Sequence, residues 1–146
     1  YLDWIKELSA QFENIEFFPP VKEKDVRALE RKFDIKFHKE LRRLLKSTDG
    51  FLAKFDANIC WSILENENNT DIYTENMYIC ENNNAPEGVD FKEVVFFGDD
   101  GADIFWGFKL EDGKMTDTIV SWNRMKNSVR EYQMPLKNFF RMVAES

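Results

Sequence analysis

Three aspartates, Asp99, Asp100 and Asp103, stand with Gly98 and Gly101 between two intensely apolar runs, Val94–Phe97 and Ile104–Phe108. Carboxylates so clustered can hold a divalent cation, serve as a general acid and base, or face a basic partner. An EF-hand loop needs glycine at its sixth position and a carboxylate at its twelfth. Counted from Asp99, those positions fall on Ile104 and Leu110, so the spacing speaks against a calcium loop. Acid–base or nucleophilic catalysis is also poorly supplied. His38 is the only histidine, and it sits among Lys36, Lys39 and Arg42 in what reads as a helix start. No Gly-rich phosphate loop, no Gly-x-Ser-x-Gly elbow and no cysteine pair at metal spacing occurs. No catalytic residue, metal ligand or cofactor site is expected. The third chemistry, recognition of a basic partner, is left as the best use of the cluster.

A second acidic stretch, Glu65–Asp71, contributes Glu65, Glu67 and Asp71 from a polar loop. Trp61 and Trp106 lie beside the two acidic segments, where each is either an apolar anchor for a partner or part of the core. The charge distribution supports a binding surface. The net charge of −7 divides unevenly: 11 Lys/Arg against 10 Asp/Glu over residues 1–50, 4 against 15 over 51–120, and 5 against 2 over 121–146. A field focused in the middle of the chain repels nucleic-acid phosphates and draws basic proteins.

The elements that must position these groups follow from hydrophobic period. Ile5, Leu8 and Phe12 recur at helical spacing before the Phe17-Phe18-Pro19-Pro20 break. Val26, Leu29 and Phe33 define a second helix over 22–33. Leu41, Leu44 and Leu45 define a third, expected to stop at Asp49-Gly50. Beyond Gly50 the period becomes strand-like, with strands expected at Phe51–Phe55 and Ile59–Leu64, the latter with Ile59, Trp61 and Ile63 on one side. Residues 72–80 fit a short helix or a strand. Strands on either side of the aspartates, an Asp112-Gly113 hairpin turn and a strand through Thr118–Trp122 come next. Leu136, Phe139, Phe140 and Val143 mark a closing amphipathic helix. Helices, then strands, then a helix predict an α+β fold: a single domain over 1–146 with a mainly antiparallel β-sheet, N-terminal helices and a C-terminal helix.

With 146 residues and 43% hydrophobic content, the chain can bury roughly two thirds of its unfolded surface without staples. No run approaches the roughly 20 apolar residues that span a bilayer, so neither membrane nor nucleic acid is an expected partner. Cys60 and Cys80, each beside apolar neighbours, read as reduced thiols in a cytoplasmic protein.

Several segments in order resemble the SUKH superfamily. They are Leu29-Glu30, Leu41 with Leu44-Leu45, Asp49-Gly50, the turn Phe96–Asp103, Ile119–Trp122, and Met134-Pro135-Leu136-Lys137-Asn138-Phe139-Phe140. The match runs over roughly residues 22–143. Phe37-His38 stands where the family usually has Leu-Pro, Asp49 where it has Asn, and Ala102 where the acidic turn has glycine. The resemblance implies an α+β fold and no catalytic residues. For bacterial members it implies an immunity protein that binds a cognate toxin, often a nuclease. Eukaryotic and viral members are regulators or interaction modules. Together with the charge pattern, it makes a basic nuclease toxin the expected partner and Asp99, Asp100, Asp103, Glu65, Glu67 and Asp71 the expected contacts.

Overall fold

The computed structural model describes residues 4–53 and 57–145. Helix α1, Trp4–Gln11, buries Ile5 and Leu8 on the stripe read from the sequence. Helix α2, Glu23–Phe33, begins where the Asp25 carboxylate accepts the backbone N–H of Lys22 at 3.0 Å and ends on Asp34, which takes a left-handed φ of 57°. It buries Val26 and Leu29. Helix α3, Lys39–Leu45, is capped by the ring of His38, whose Nδ1 accepts the Glu40 N–H at 3.1 Å. Leu41, Leu44 and Leu45 are fully enclosed, each contributing about 1.5–3 kcal/mol by leaving water.

That helix stops at Leu45, four residues before the expected stop at Asp49-Gly50. Thr48 and Asp49 belong instead to a buried connection, with Thr48 Oγ1 donating to the Phe18 or Gly50 carbonyl. There follows a three-stranded antiparallel sheet of order β1-β2-β3, built from β1 (Glu16–Phe17), β2 (Phe51–Ala53) and β3 (Ala57–Cys60). The end of the strand expected at Phe51–Phe55 lies outside the described residues. The strand expected at Ile59–Leu64 closes at Cys60, because the Asp49 carboxylate takes the N–H groups of Ile63 and Leu64. Both faces of this segment are enclosed, and Cys60 and Ser62 are as buried as Ile59, Trp61 and Ile63.

Residues 72–80 fall in a helix, α4 (Ile72–Asn82), started by Asp71, which accepts from Thr74 N and Oγ1. The second sheet is an antiparallel meander of order β4-β5-β6-β7: β4 (Val94–Asp99), β5 (Ile104–Glu111), β6 (Lys114–Asn123) and β7 (Ser128–Gln133). Helix α5, Leu136–Glu145, buries Leu136, Phe139 and Phe140. Among the described residues two antiparallel sheets and five α-helices make an α+β fold, as the order of elements predicts.

The continuous apolar run of β4 has a reason. Phe96 packs on Phe91, Phe105 and Trp122, whereas Phe97 packs on Phe108, Phe139 and Phe140. Alternate side chains meet covered faces, so neither face can be polar. Trp61 N–H donates to the Phe97 carbonyl at 2.7 Å, joining the two sheets through the backbone. No helix among the described residues is long and apolar enough to cross a membrane.

Candidate functional site

The acidic turn between β4 and β5 is built by its own carboxylates. Asp99 accepts the Trp61 indole N–H at 2.8 Å and the Gly101 N–H at 2.7 Å. Burial raises its pKa above the usual carboxylate value, opposed by these hydrogen bonds. Asp100 Oδ1 accepts from Ala102 N at 2.9 Å and Ile104 N at 3.1 Å. Asp103 pairs with Arg124 at 3.2 Å. Gly101 supplies the positive φ of 82° that the turn requires. The three aspartates are therefore not equally displayed. Asp99 is turned inward to hold an indole, Asp103 shares its charge with an arginine, and Asp100 is the exposed member.

Neither tryptophan is an anchor for a partner. Trp61 and Trp106 are 0% and 2% exposed. Trp61 is held by Asp99, and Trp106 donates to the Ile59 carbonyl at 3.0 Å while its ring packs on Phe139. The large apolar rings stabilise more by filling the junction of the two sheets than by standing in water, and both indole N–H groups find buried acceptors there.

The second acidic segment is fixed from below by Asp49. This residue is 4% exposed, and its carboxylate accepts from Ile63 N at 2.7 Å and Leu64 N at 3.2 Å. Its carbonyl accepts from Ser62 Oγ at 2.5 Å. Desolvation pushes its pKa up to about 6, against the two backbone hydrogen bonds. Asn69 completes the support, donating to the Cys60 carbonyl at 3.0 Å or Ser62 Oγ at 2.8 Å. Tethered in this way, residues 63–71 hold Glu65 and Glu67 in solvent and deliver Asp71 to the start of α4.

One turn into α4 stands Glu75, half-buried. Desolvation raises its pKa, the charge of Asp99 adds to the rise, and Arg124 lowers it. Glu75 thus couples electrostatically to the β4–β5 turn, on a helix whose start is capped by Asp71 of the second acidic segment. Sequence reasoning missed it because helix or strand was open for residues 72–80. Asp49 was missed as well, since an Asp-Gly pair reads first as a turn; its departure from the usual family Asn was the available signal.

Between α2, the 63–71 loop and α4 lies a cleft of ≈750 Å³. Leu29, Ile63, Leu64 and Tyr73 supply apolar lining, and Asp25, Glu65, Asp71 and Glu75 supply carboxylates. Lys32, the cation lining it, lies 3.9 Å from the centroid of the Tyr73 ring. Among the described residues no three His, Cys, Asp or Glu side chains are grouped to hold a metal ion. His38 caps α3 through Nδ1, leaving Nε2–H to donate to Asp117 at 2.7 Å, and stacks on Phe108 at 4.8 Å. These partners give the imidazole a structural role.

Residues 20–142 match the SMI1 / KNR4 family (SUKH-1). A search of curated proteins finds no match.

Proposed function

Because the chain belongs to the SMI1/KNR4 family (SUKH-1), which includes immunity proteins of toxin systems, we propose that it is an immunity protein. It binds a cognate toxin encoded beside it and blocks that toxin's active cleft. The observation that supports this reading is a set of carboxylates on neighbouring elements, Asp100 and Asp103 at the β4–β5 turn and Glu65, Glu67, Asp71 and Glu75 on the 63–71 loop and α4, which we take to form the binding surface. A nuclease presents a basic, phosphate-binding cleft, and fixed carboxylates compete for it with nucleic acid. The family is generally non-catalytic, and the protein acts by occupancy, in the cytoplasm, without a cofactor.

Co-expression with the toxic C-terminal domain of the neighbouring gene product tests the proposal, with an empty vector as control. Restored viability and co-purification are expected. Cell death despite ample soluble protein, with no complex recovered, overturns the immunity role and leaves a regulatory scaffold. Purified protein should also lack nuclease activity in a fluorescent-substrate assay.

A further inference from the structure

We propose that the cleft between α2, the 63–71 loop and α4 seats one apolar side chain of a basic partner segment, whose flanking arginines or lysines meet the carboxylates around it. The inference rests on the chain being a partner-binding module and adds where and how the partner docks.

Leu64 is 43% exposed, one of few large apolar side chains left in water among the described residues. Its exposure is held in place. The backbone N–H of Leu64 is bound by buried Asp49, and that of Ile63 by the same carboxylate, so the backbone that presents the side chain is fixed by a pair of charge-assisted hydrogen bonds. Beside it, Leu29 and Ile63 are almost fully buried and Tyr73 is half-buried, giving an apolar floor.

The rim is mainly acidic. Asp25 comes from α2, Glu65 from the loop, and Asp71 and Glu75 from the start of α4. Among the described residues Lys32 is the one lining cation, and its ammonium lies over the Tyr73 ring, 3.9 Å from the centroid. Four carboxylates against one cation leave a local excess of three negative charges. An apolar occupant without charge would take water from those carboxylates and supply no countercharge, and an acidic one would be repelled. A basic segment with a central Leu, Ile, Met or Phe satisfies both the floor and the rim. Such an anchor surrounded by charge pairs is the pattern of an interface hot spot.

Selection of a random dodecapeptide display library on the full chain tests this without knowledge of the natural partner. Enriched peptides should carry a large apolar residue flanked by Arg or Lys. Their affinity, read by fluorescence anisotropy, should fall at least about tenfold for Leu64→Lys and again for Glu75→Lys. Glu87→Lys makes the same charge change on an exposed loop outside the cleft and should leave affinity within about twofold. Absence of enrichment, enrichment of acidic or uncharged peptides, or equal binding by Leu64→Lys overturns the proposal. Sedimentation of the unliganded chain adds a further check: a dimer that Leu64→Lys dissociates makes a second copy the occupant, and also overturns it. Peptide binding at the cleft without rescue from the neighbouring toxin discards the immunity role alone. Rescue by a protein that still tolerates Leu64→Lys discards the cleft alone.

Discussion

Asp49 and Asp99 are both carboxylates withdrawn from water, yet they differ in what their charge does. For Asp49, the folded pKa of about 6 lies above the ordinary 3.8. The native state therefore binds more protons than the unfolded chain between about pH 4 and 6, and the contribution of this group to stability is fully present below pH 4 and is lost as pH rises through 6. A shift of that size corresponds to about 3 kcal/mol at neutral pH. Asp49→Asn removes the charge but turns an amide N–H toward that of Leu64, which gives back about 1 kcal/mol. The variant should be more stable than wild type by about 1–2 kcal/mol near pH 7.5, with the advantage gone by pH 4. Urea titrations at several pH values check this, and a pH-independent difference would show that the carboxylate is not titrating. Asp99→Ala leaves the Trp61 indole and the Gly101 N–H without their acceptor, and should lower stability by about 1–3 kcal/mol. Asp100→Lys removes the acceptor of two exposed backbone N–H groups, which water can replace, and should cost stability less than Asp99→Ala while weakening toxin binding. Parallel thermal melts and surface plasmon resonance separate the two.

At the scale of elements, one side chain hydrogen-bonds α4 to the second sheet, beside the buried Ile72 and Ile79. Asn76 is 3% exposed and both accepts from Phe96 N and donates to the Phe96 carbonyl, each at 2.8 Å. A side-chain amide here replaces a neighbouring strand, satisfying the edge of β4 where no strand pairs with it. Asn76→Ala should cost about 2–4 kcal/mol, because two buried backbone groups lose their partners. The m-value of urea unfolding should be unchanged if the fold survives. Gly98 permits the approach of β3 to the same strand. A methyl at that position would land on the Ile59 carbonyl and the Trp106 indole nitrogen, well inside contact. Gly98→Ala should therefore destabilise by about 3 kcal/mol or more, and differential scanning calorimetry would register it as a large fall in Tm. Since β4 carries the acidic turn, that substitution should also weaken partner binding, whereas Asp100→Lys weakens it with a much smaller fall in Tm.

For the molecule as a whole, charge segregation governs encounter. Residues 51–120 hold fifteen acidic residues against four basic ones, and the proposed contacts are drawn from this stretch. The field they create attracts a basic toxin over about a Debye length, roughly 10 Å at 0.1 M salt. The association rate with the toxin domain should fall about tenfold or more between roughly 0.05 and 0.5 M salt, with a smaller change in dissociation rate. Stopped-flow fluorescence at graded ionic strength measures it. A flat profile would place binding on uncharged surface.

The sequence by itself determined the class of fold, the two central helices, the sheet beside the aspartates and the closing helix, because each has an apolar period that only one secondary structure can bury. Val26 with Leu29, Leu41 with Leu44 and Leu45, and Leu136 with Phe139 and Phe140 are legible at this level. The acidic excess of the middle of the chain is equally legible, being a count. Only the tertiary structure decided which carboxylates face outward. Asp99 and Asp100 are neighbours of one type, yet one meets the indole of Trp61, 38 residues away, and the other meets solvent. The same holds for Trp61 and Trp106, whose placement depends on the junction of two sheets, and for residues 72–80, where the Asp71 cap and the Asn76 bonds to Phe96 select a helix. Glu75 was out of reach for this reason, and Asp49 showed only in its departure from the usual family Asn: burial and electrostatic coupling are properties of groups distant in sequence, and no local period encodes them.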